Sequence, residues 1–283
     1  MIENTEKKII ALGYFDCVHI AHRRILQKAR DMAEASGVKS AAITFSDNVK
    51  SSYIYNLQER KRLLSELVDE IVTFDFTDSI KNMSPIDFLD MLVEKFGAVG
   101  FVCGYDHRFG KNAAGDCTLL AAYCREKGYS LAVVDKMIDG GEAVSTTRIK
   151  NLLQKGDMQS VNKLLVVPYH ITASVVRGRG QGHIFGFPTV NFVPEFNQIL
   201  PKSGVYSTMS DVVLGKFKSV TNVGIKPTFN DTTVSVETFI GDGFNGDLYD
   251  EKITVYFNKY LRDIKKFNSP EELKNQIFED IRR

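Results

Sequence analysis

The sequence predicts an α/β protein with two domains: an N-terminal domain with a parallel sheet, and a C-terminal small antiparallel β-barrel with a terminal helix. Up to about residue 155, short β-branched runs alternate with longer segments of helical spacing, which is typical of a parallel sheet covered by helices. From residue 170 onward, short strands follow one another closely between Gly, Pro, Asn and Asp residues. We expect domains at 1–158 and 164–283, joined by a polar passage that is either a rigid helix or a hinge.

Five apolar runs predict the strands of the first sheet: KKIIALG at 7–13, VKSAAITF at 38–45, IVTFDF at 71–76, VGFVCGYD at 99–106 and SLAVVD at 130–135. Segments 20–36, 57–68, 84–96 and 115–127 carry the helical spacing between them. One of these helices has clear end signals, because Ser84 can cap its start, Pro85 suits its first position and Gly97 suits its exit.

The second half predicts strands at HITASVV (170–176), GVYSTM (204–209), FKSVTNVG (217–224), TVSVETFI (233–240) and KITVYF (252–257). The chain closes on a segment that begins with Ser269 and Pro270 and carries Leu273, Ile277 and Ile281 at four-residue spacing. That pattern predicts an amphipathic helix lying on the barrel.

Composition narrows the classes of function. A formal net charge of +1 gives no electrostatic bias toward nucleic acid or a membrane surface, so small-molecule substrates fit better. The first residues are charged and no run of ~18 apolar residues follows, so we expect a cytoplasmic protein without membrane contact. The four cysteines lack C-x-x-C spacing and are expected to be free thiols. The sequence does not fix an oligomeric state.

The first candidate site is the strand-to-helix turn from Gly13 to His22. Ligands of doubly wound sheets bind at such turns, and helix N-termini favour phosphate. His19 and His22 are three residues apart, on one face of the first helical turn, and could both meet a triphosphate. The alternative is that they only cap the helix. A zinc site is disfavoured, because a third ligand is needed and the other histidines form no second close pair.

The second candidate site begins with a glycine-rich segment, RGRGQGHIFGFPTVNF at 177–192. Its glycines, Gly178, Gly180, Gly182 and Gly186, could bring backbone amides close to phosphate oxygens, although a plain turn is the alternative. Thr189 and Asn191 follow two residues apart, so both side chains share one face of a strand. Their oxygens suit Mg²⁺ bound to nucleotide phosphates, and a polar barrel face is the alternative.

The first half resembles the bacterial bifunctional riboflavin kinase/FAD synthetases. GYFDCVHIAH at 13–22 is similar to their G-x-F-D-x-x-H-x-G-H signature, and CGYDHRFGKNAAGD at 103–116 and VSTTRIK at 144–150 agree with later stretches. The resemblance implies a Rossmann-like nucleotidyltransferase domain that transfers AMP from ATP to FMN to give FAD. It also implies pockets for ATP and FMN lined by Gly13, Phe15, Asp16, His19, His22, Asp106, Phe109, Ser145, Thr146, Thr147 and Lys150.

Several positions depart from the family pattern. Cys17 and Ala21 stand where the family has glycine, and Lys150 replaces an arginine, which loses a planar fork for phosphate. His107 stands where an aromatic residue usually follows the Asp, and no His-Pro pair follows Phe45. A riboflavin kinase with a degenerate N-terminal domain is therefore the alternative to a bifunctional enzyme.

The second half resembles riboflavin kinase over about 115 residues, in GFPTVN (186–191), GVY (204–206), NVGIKPTF (222–229), VETF (236–239), DLY (247–249) and YLRDIKKF (260–267). The resemblance implies that Thr189 and Asn191 hold Mg²⁺ and ATP while the loop at 178–186 covers the phosphates. It further implies that Glu237 accepts the proton of the ribityl hydroxyl and that Arg262 contacts the flavin or closes the site.

Three hypotheses follow for the whole chain. The first is an enzyme that converts riboflavin into FMN and FMN into FAD, with Mg²⁺-ATP as co-substrate. The second is a riboflavin kinase whose N-terminal domain has a structural, flavin-sensing or regulatory role. The third is a flavin-sensing or RNA-binding regulator without turnover, against which the near-zero net charge counts for RNA.

Overall fold

The structure is a computed structural model that describes residues 6–47, 52–176, 189–192, 194, 197–228, 231–241, 248 and 251–283. The chain divides into two compact units, Met1–Thr146 and Thr147–Arg283. This division agrees with the predicted order of an α/β unit followed by a β unit. The predicted boundaries at 158 and 164 remain a prediction.

The first unit follows the predicted alternation of strands and helices. Its elements are β1 (Lys8–Leu12), α1 (Ile20–Ser36), β2 (Lys39–Phe45), α2 (Leu57–Ser65), β3 (Glu70–Phe74), α3 (Asp78–Lys81), α4 (Pro85–Phe96), β4 (Ala98–Gly104), α5 (Cys117–Lys127), β5 (Ser130–Val134), β6 (Ile138–Asp139) and β7 (Glu142–Ala143). The first five strands form a parallel sheet in the order β3-β2-β1-β4-β5, and β6 and β7 form a small hairpin.

Local signals explain where α4 begins and ends. The Ser84 hydroxyl accepts the N–H of Asp87 at 3.1 Å, and Pro85 occupies the first helical position. Gly97 ends the helix in the left-handed conformation with φ 71°, which glycine adopts without steric cost. All three predicted end signals are confirmed.

The strand order places a ligand-binding edge beside β1. The strand order reverses between β1 and β4, and in doubly wound sheets ligands bind outside the carboxyl ends of the strands at such a point. Every residue of β1 is buried, as expected for a central strand covered on both faces. The segments after β1 and β4 therefore meet at one edge of the sheet.

The second unit begins with two helices and continues with strands. Its elements are α6 (Thr146–Lys155), whose first residue closes the first unit, α7 (Met158–Leu164), β8 (His170–Ser174), β9 (Thr189–Phe192), β10 (Gly204–Val212), β11 (Gly215–Thr228), β12 (Asp231–Ile240), β13 (Lys252–Arg262) and α8 (Pro270–Arg282). The polar passage is thus helical. Asn162 of α7 fixes it to the strands, donating to Phe257 O at 2.7 Å and accepting from Tyr169 N at 2.8 Å.

The strands of the second unit form one antiparallel sheet in the order β8-β13-β10-β11-β12-β9. The sheet curls until its two edges approach each other, where the N–H of Val176 donates to the Asn191 carbonyl at 2.8 Å. On one face, Ile277 and Ile281 of α8 pack against Val205, Val220 and Phe239. This arrangement is the predicted barrel with a terminal helix upon it.

Buried hydroxyl groups line the face of this sheet that points away from α8. Thr221 lies between Thr208 and Thr238, with oxygen separations of 2.8 and 2.9 Å. These buried hydroxyls form hydrogen bonds with one another across three strands.

No helix in the described part of the chain is long and apolar enough to cross a membrane.

Candidate active sites

The turn after β1 has a constrained backbone. Phe15 and Val18 have φ values of 53° and 43°, in a region that non-glycine residues seldom adopt. A Cβ on Gly13 would lie 2.7 Å from the Phe15 ring, so only glycine fits beneath that ring. Strain of this kind persists where the surrounding structure holds the backbone in a fixed geometry, often at ligand sites.

The turn delivers two stacked histidines to the start of α1. His19 is the N-cap, and its Nδ1 accepts the N–H of His22 at 3.0 Å. The two rings stack with their centroids 3.5 Å apart. Burial lowers the pKa of His19 to about 4, so the ring is neutral near pH 7. Because Nδ1 accepts a hydrogen bond, the ring proton lies on Nε2. His19 therefore caps the helix and still has one N–H donor to offer.

A cleft with a volume of about 790 Å³ opens at this edge of the sheet. Of the residues predicted for the ATP and FMN pockets, it is lined by Gly13, Phe15, His19, His22, Asp106, Phe109, Ser145 and Thr146. The turn after β1 and the segment after β4 thus face one cavity. Lys81, Arg108 and Lys136 add positive charge to its wall, which suits an anionic ligand.

Three predicted residues of this site lie elsewhere. Asp16 is 1% exposed and accepts the N–H of Ile54 at 3.0 Å, so it holds a neighbouring segment in position behind the cleft. Thr147 and Lys150 lie on α6 in the second compact unit, and the residues that line the cleft end at Thr146. A ligand role for these three residues remains a prediction.

A buried arginine supports the wall of the cleft beside Phe45. Arg60 is fully buried, and its Nη2 donates to Phe45 O at 2.5 Å and Asp47 Oδ1 at 2.9 Å. Its guanidinium also lies 4.5 Å from the centroid of the Tyr14 ring. Tyr14 and Phe45 both line the cleft. Sequence reasoning missed Arg60, although a charged residue next to the apolar Leu63 and Leu64 on one helix was a signal.

In the second unit, strand register brings the candidate kinase residues into one row. Glu237 of β12 lies opposite Asn191 of β9 on one side and opposite Asn222 of β11 on the other. Directly paired residues point to the same face of a sheet, and so does Thr189, two residues before Asn191. The predicted threonine, asparagine and glutamate thus share the face that α8 covers.

A cavity of about 240 Å³ lies between this face and α8. Its polar wall contains Thr189, Asn222, Glu237 and Arg262. Its apolar wall contains Val205, Val220, Phe239, Ile264, Phe267, Leu273 and Ile277. The buried Asn222 Oδ1 has no hydrogen-bond partner among the described residues, so it can receive a donor from a ligand. Asn222 belongs to the quoted NVGIKPTF motif but was not singled out.

Arg262 is held in this cavity by a carboxylate that sequence reasoning missed. Its Nε and Nη2 donate to Asp280 Oδ2 at 3.0 and 2.8 Å, and the Asp280 side chain is fully buried. Gln276 donates to the other carboxylate oxygen at 3.1 Å. The available signal was an acidic residue beside Ile277 and Ile281 on the apolar face of the predicted helix.

The glycine-rich part of the second site, Gly178, Gly180, Gly182 and Gly186, lies outside the described residues. The phosphate-covering role assigned to these glycines remains a prediction.

Comparisons with known families match both halves of the chain. A sequence model described as FAD synthetase matches residues 1–148, and one described as riboflavin kinase matches residues 165–283. The relative from Bacillus subtilis is 30% identical, with 98% of this chain and 92% of the relative covered. Those from Listeria monocytogenes and Escherichia coli K12 are 29% identical, each with 96% of this chain and 90% of the relative covered. All three are described as bifunctional riboflavin kinase/FMN adenylyltransferase.

A solved structure from Streptococcus pneumoniae has the same fold. It superimposes with a TM-score of 0.88 at 28% identity, covering 99% of this chain and 94% of the other. That protein is described as a macrolide-efflux protein, whereas the sequence relatives are described as flavin-nucleotide enzymes. The two domain matches and the near full-length relatives agree with the two sites found in the two units. The chain belongs to the bifunctional riboflavin kinase/FMN adenylyltransferase family.

Proposed function

We propose that the second unit is a riboflavin kinase that transfers the γ-phosphate of ATP to the terminal ribityl hydroxyl of riboflavin, giving FMN and ADP. One observation carries this proposal: a single cavity is lined by Thr189, Glu237 and Arg262, residues from three strands that register brings to one face. The proposed substrates agree with the riboflavin kinase match over residues 165–283.

The cavity has two chemically different walls, which suit the two parts of riboflavin. Apolar side chains such as Phe239, Phe267 and Ile277 can pack against the planar isoalloxazine ring. The polar wall with Asn222 and Glu237 can receive the ribityl hydroxyls. This orientation directs the terminal hydroxyl toward Glu237 and Thr189.

The donor set at Thr189 and Asn191 fits a magnesium ion. A hydroxyl and an amide oxygen are hard ligands, and Mg²⁺ takes few ligands from protein and the rest from water and phosphate. Thr189 lines the cavity, and Asn191 is 9% exposed and lies opposite Glu237. When bound, the ion neutralises charge on the transferring phosphoryl group.

Glu237 is the general base in this proposal. Its carboxylate accepts the proton of the ribityl hydroxyl as that oxygen forms a bond to the γ-phosphorus and the bond to the β-phosphate oxygen breaks. Asn191 and Asn222 lie opposite Glu237 on the two neighbouring strands. Arg262, fixed by Asp280, contributes a positive charge to the same wall.

We propose that the first unit carries the second activity, FMN adenylylation. There a phosphate oxygen of FMN attacks the α-phosphorus of ATP and pyrophosphate leaves. The neutral His19 can donate its Nε2–H to the α-phosphate oxygens, and Lys81 and Lys136 line the cleft where the negative charge of the triphosphate would lie. Asp106 and Phe109 are the proposed FMN contacts.

The test uses the purified full chain with ATP and Mg²⁺. We expect FMN to form from riboflavin, and FAD to form when FMN is supplied instead, with both products separated by chromatography. If FMN forms from riboflavin but no FAD forms from supplied FMN, the chain is a riboflavin kinase without adenylyltransferase activity. Flavin binding without either product would exclude both activities.

We further propose that the protein works in the cytoplasm, where ATP is available. None of its four cysteines forms a disulfide, which supports a reducing compartment.

A further inference from the structure

Three potential metal ligands meet at the turn that begins α1. One ring nitrogen of His19, one of His22 and the Cys17 sulfur all lie within 4.8 Å of one another. The other histidines offer no third ligand for this pair, but Cys17 does. Cys17 lies between Phe15 and Val18, the two residues of this turn with positive φ values.

We propose that Cys17, His19 and His22 form a binding site for Zn²⁺, and that the bound ion blocks adenylyl transfer in the first unit. Zinc prefers thiolate and imidazole ligands in a tetrahedral arrangement, and three protein ligands leave a fourth position open for water. Both histidines line the cleft, so that fourth position faces the space proposed for nucleotide. The blocking part of this inference depends on the proposed adenylyltransferase function, whereas the binding part does not.

The local geometry is close to what the ion requires. Bonds of about 2.0–2.3 Å place the ligand atoms of a tetrahedral zinc site roughly 3.3–3.8 Å apart. The three ligand atoms, which lie within 4.8 Å of one another, therefore need to approach by about 1 Å. A small rotation of the side chains is enough for this. The Cys17 sulfur is 3.8 Å from the Thr146 hydroxyl, a weak contact that the thiolate can give up. All three ligands come from one short segment, so no distant element has to move.

Competition with nucleotide follows from the histidines. His19 Nδ1 accepts the His22 N–H and Nε2 carries the ring proton, so coordination through Nε2 moves that proton to Nδ1 and breaks this cap hydrogen bond. Nε2 is the donor proposed for the α-phosphate. An occupied zinc site therefore removes the donor and places the metal where the phosphates would bind.

The binding test uses Co²⁺ as a spectroscopic substitute for Zn²⁺ on the full chain. We expect the near-ultraviolet charge-transfer band of a cobalt thiolate and the visible bands of a tetrahedral ion, both displaced by one equivalent of Zn²⁺. Cys17→Ser should abolish the thiolate band and weaken cobalt binding by at least tenfold, about the smallest loss seen even for residues that only support a ligand. Cys17→Ala serves as a second variant, and circular dichroism checks the fold of both.

Cys117→Ser is the matched control, because Cys117 is another cysteine of the first unit that forms no disulfide, but it lies outside the cluster. It should bind cobalt with the wild-type spectrum. An unchanged thiolate band in folded Cys17→Ser or Cys17→Ala, or its absence from the wild type, would overturn the proposed site.

The blocking test measures both reactions of the same chain at increasing Zn²⁺. Zinc should inhibit FAD formation from FMN at concentrations that leave FMN formation from riboflavin unchanged, which excludes simple sequestration of ATP. Cys17→Ser should form FAD at the wild-type rate without zinc and resist inhibition by at least tenfold. Equal zinc sensitivity of the variant and the wild type would refute the block. If no FAD forms under any condition, the adenylyltransferase proposal fails and the cobalt spectrum still decides the site.

Discussion

Single residues in this structure act through partners that are distant in the sequence. Arg262 is held in the kinase cavity because two of its nitrogens donate hydrogen bonds to Asp280. Asp280 is fully buried on α8. A buried charge that keeps its partner is tolerated, whereas one that loses it is costly. This pair therefore links the last helix to the site.

Asp280→Ala should destabilise the protein by roughly 3–5 kcal/mol, because the Arg262 guanidinium, 18% exposed, keeps its charge without its partner. The measurement is the urea concentration at the midpoint of unfolding. Lys216→Ala is the control, since Lys216 forms a 3.5 Å ion pair with Asp211 at the surface and should cost less than about 1 kcal/mol. Equal effects of the two substitutions would contradict the role given to Asp280.

His107 should make the stability of the first unit dependent on pH. Burial lowers its pKa to about 4, against about 6.5 in the unfolded chain, so the unfolded chain binds more protons between these values. Above pH 6.5 the ring is neutral in both states and does not lower the free energy of unfolding. As the pH falls from 6.5 toward 4, the ring takes up a proton only in the unfolded chain, so the free energy of unfolding decreases. His107→Phe preserves the stacking on Phe109 and should remove on the order of 1–3 kcal/mol of that decrease.

The measurement for His107 is urea unfolding of the wild type and of His107→Phe at pH 8, 7, 5.5 and 4.5. Between pH 8 and 7 the free energies of unfolding of the two proteins should change in parallel, which serves as the internal control. Parallel curves down to pH 4.5 would show that His107 titrates normally in the folded protein.

At the scale of elements, local chemistry made most of the fold predictable. Periodicity identified the five parallel strands, and the capping residues predicted the first and last residues of α4 correctly. For the polar passage that forms α6 and α7, the sequence allows either a rigid helix or a hinge. The contacts of Asn162 with Tyr169 and Phe257 decide this point, and they depend on tertiary structure.

Ser84→Ala should cost about 1 kcal/mol, within the range of roughly 0.5–2 kcal/mol for a lost N-cap. The Ser84 hydroxyl accepts the Asp87 N–H and donates to the Asp87 carboxylate at 2.6 Å, and alanine removes both bonds. Ser36→Ala in the last turn of α1 is the matched control, because Ser36 is exposed and alanine is the better helix former. A shift for Ser84→Ala no larger than that of the control in urea unfolding would disprove the cap.

At the scale of the whole molecule, the sequence predicted two units with one site each, but not how each site is assembled. Motifs identified Thr189, Asn191 and Glu237, whereas strand register decides that Asn191 and Asn222 flank Glu237. Register between distant strands depends on the packing of whole faces, which a short motif does not encode. Cys17 was read as a departure from the family, and only the folded turn shows it beside both histidines.

Because the two proposed sites lie in different units, a substitution can abolish one reaction without affecting the other. The proposed kinase residues lie in Thr147–Arg283, and the residues that line the adenylyltransferase cleft lie in Met1–Thr146. FMN, the product of the first reaction, is the substrate of the second. A variant of one site should therefore leave the other reaction intact whenever its own substrate is supplied.

The decisive measurement is FMN and FAD formation by Glu237→Gln, with Glu251→Gln as the matched control. Glu237→Gln keeps the size of the side chain but removes the proton acceptor, so FMN formation from riboflavin should fall by roughly 10²–10⁴. FAD formation from supplied FMN should stay at the wild-type rate, and Glu251→Gln, at an exposed position, should change neither reaction. Wild-type FMN formation by Glu237→Gln would contradict the proposal that this carboxylate, which lies opposite Asn191 and Asn222 in the sheet, is the base of the kinase.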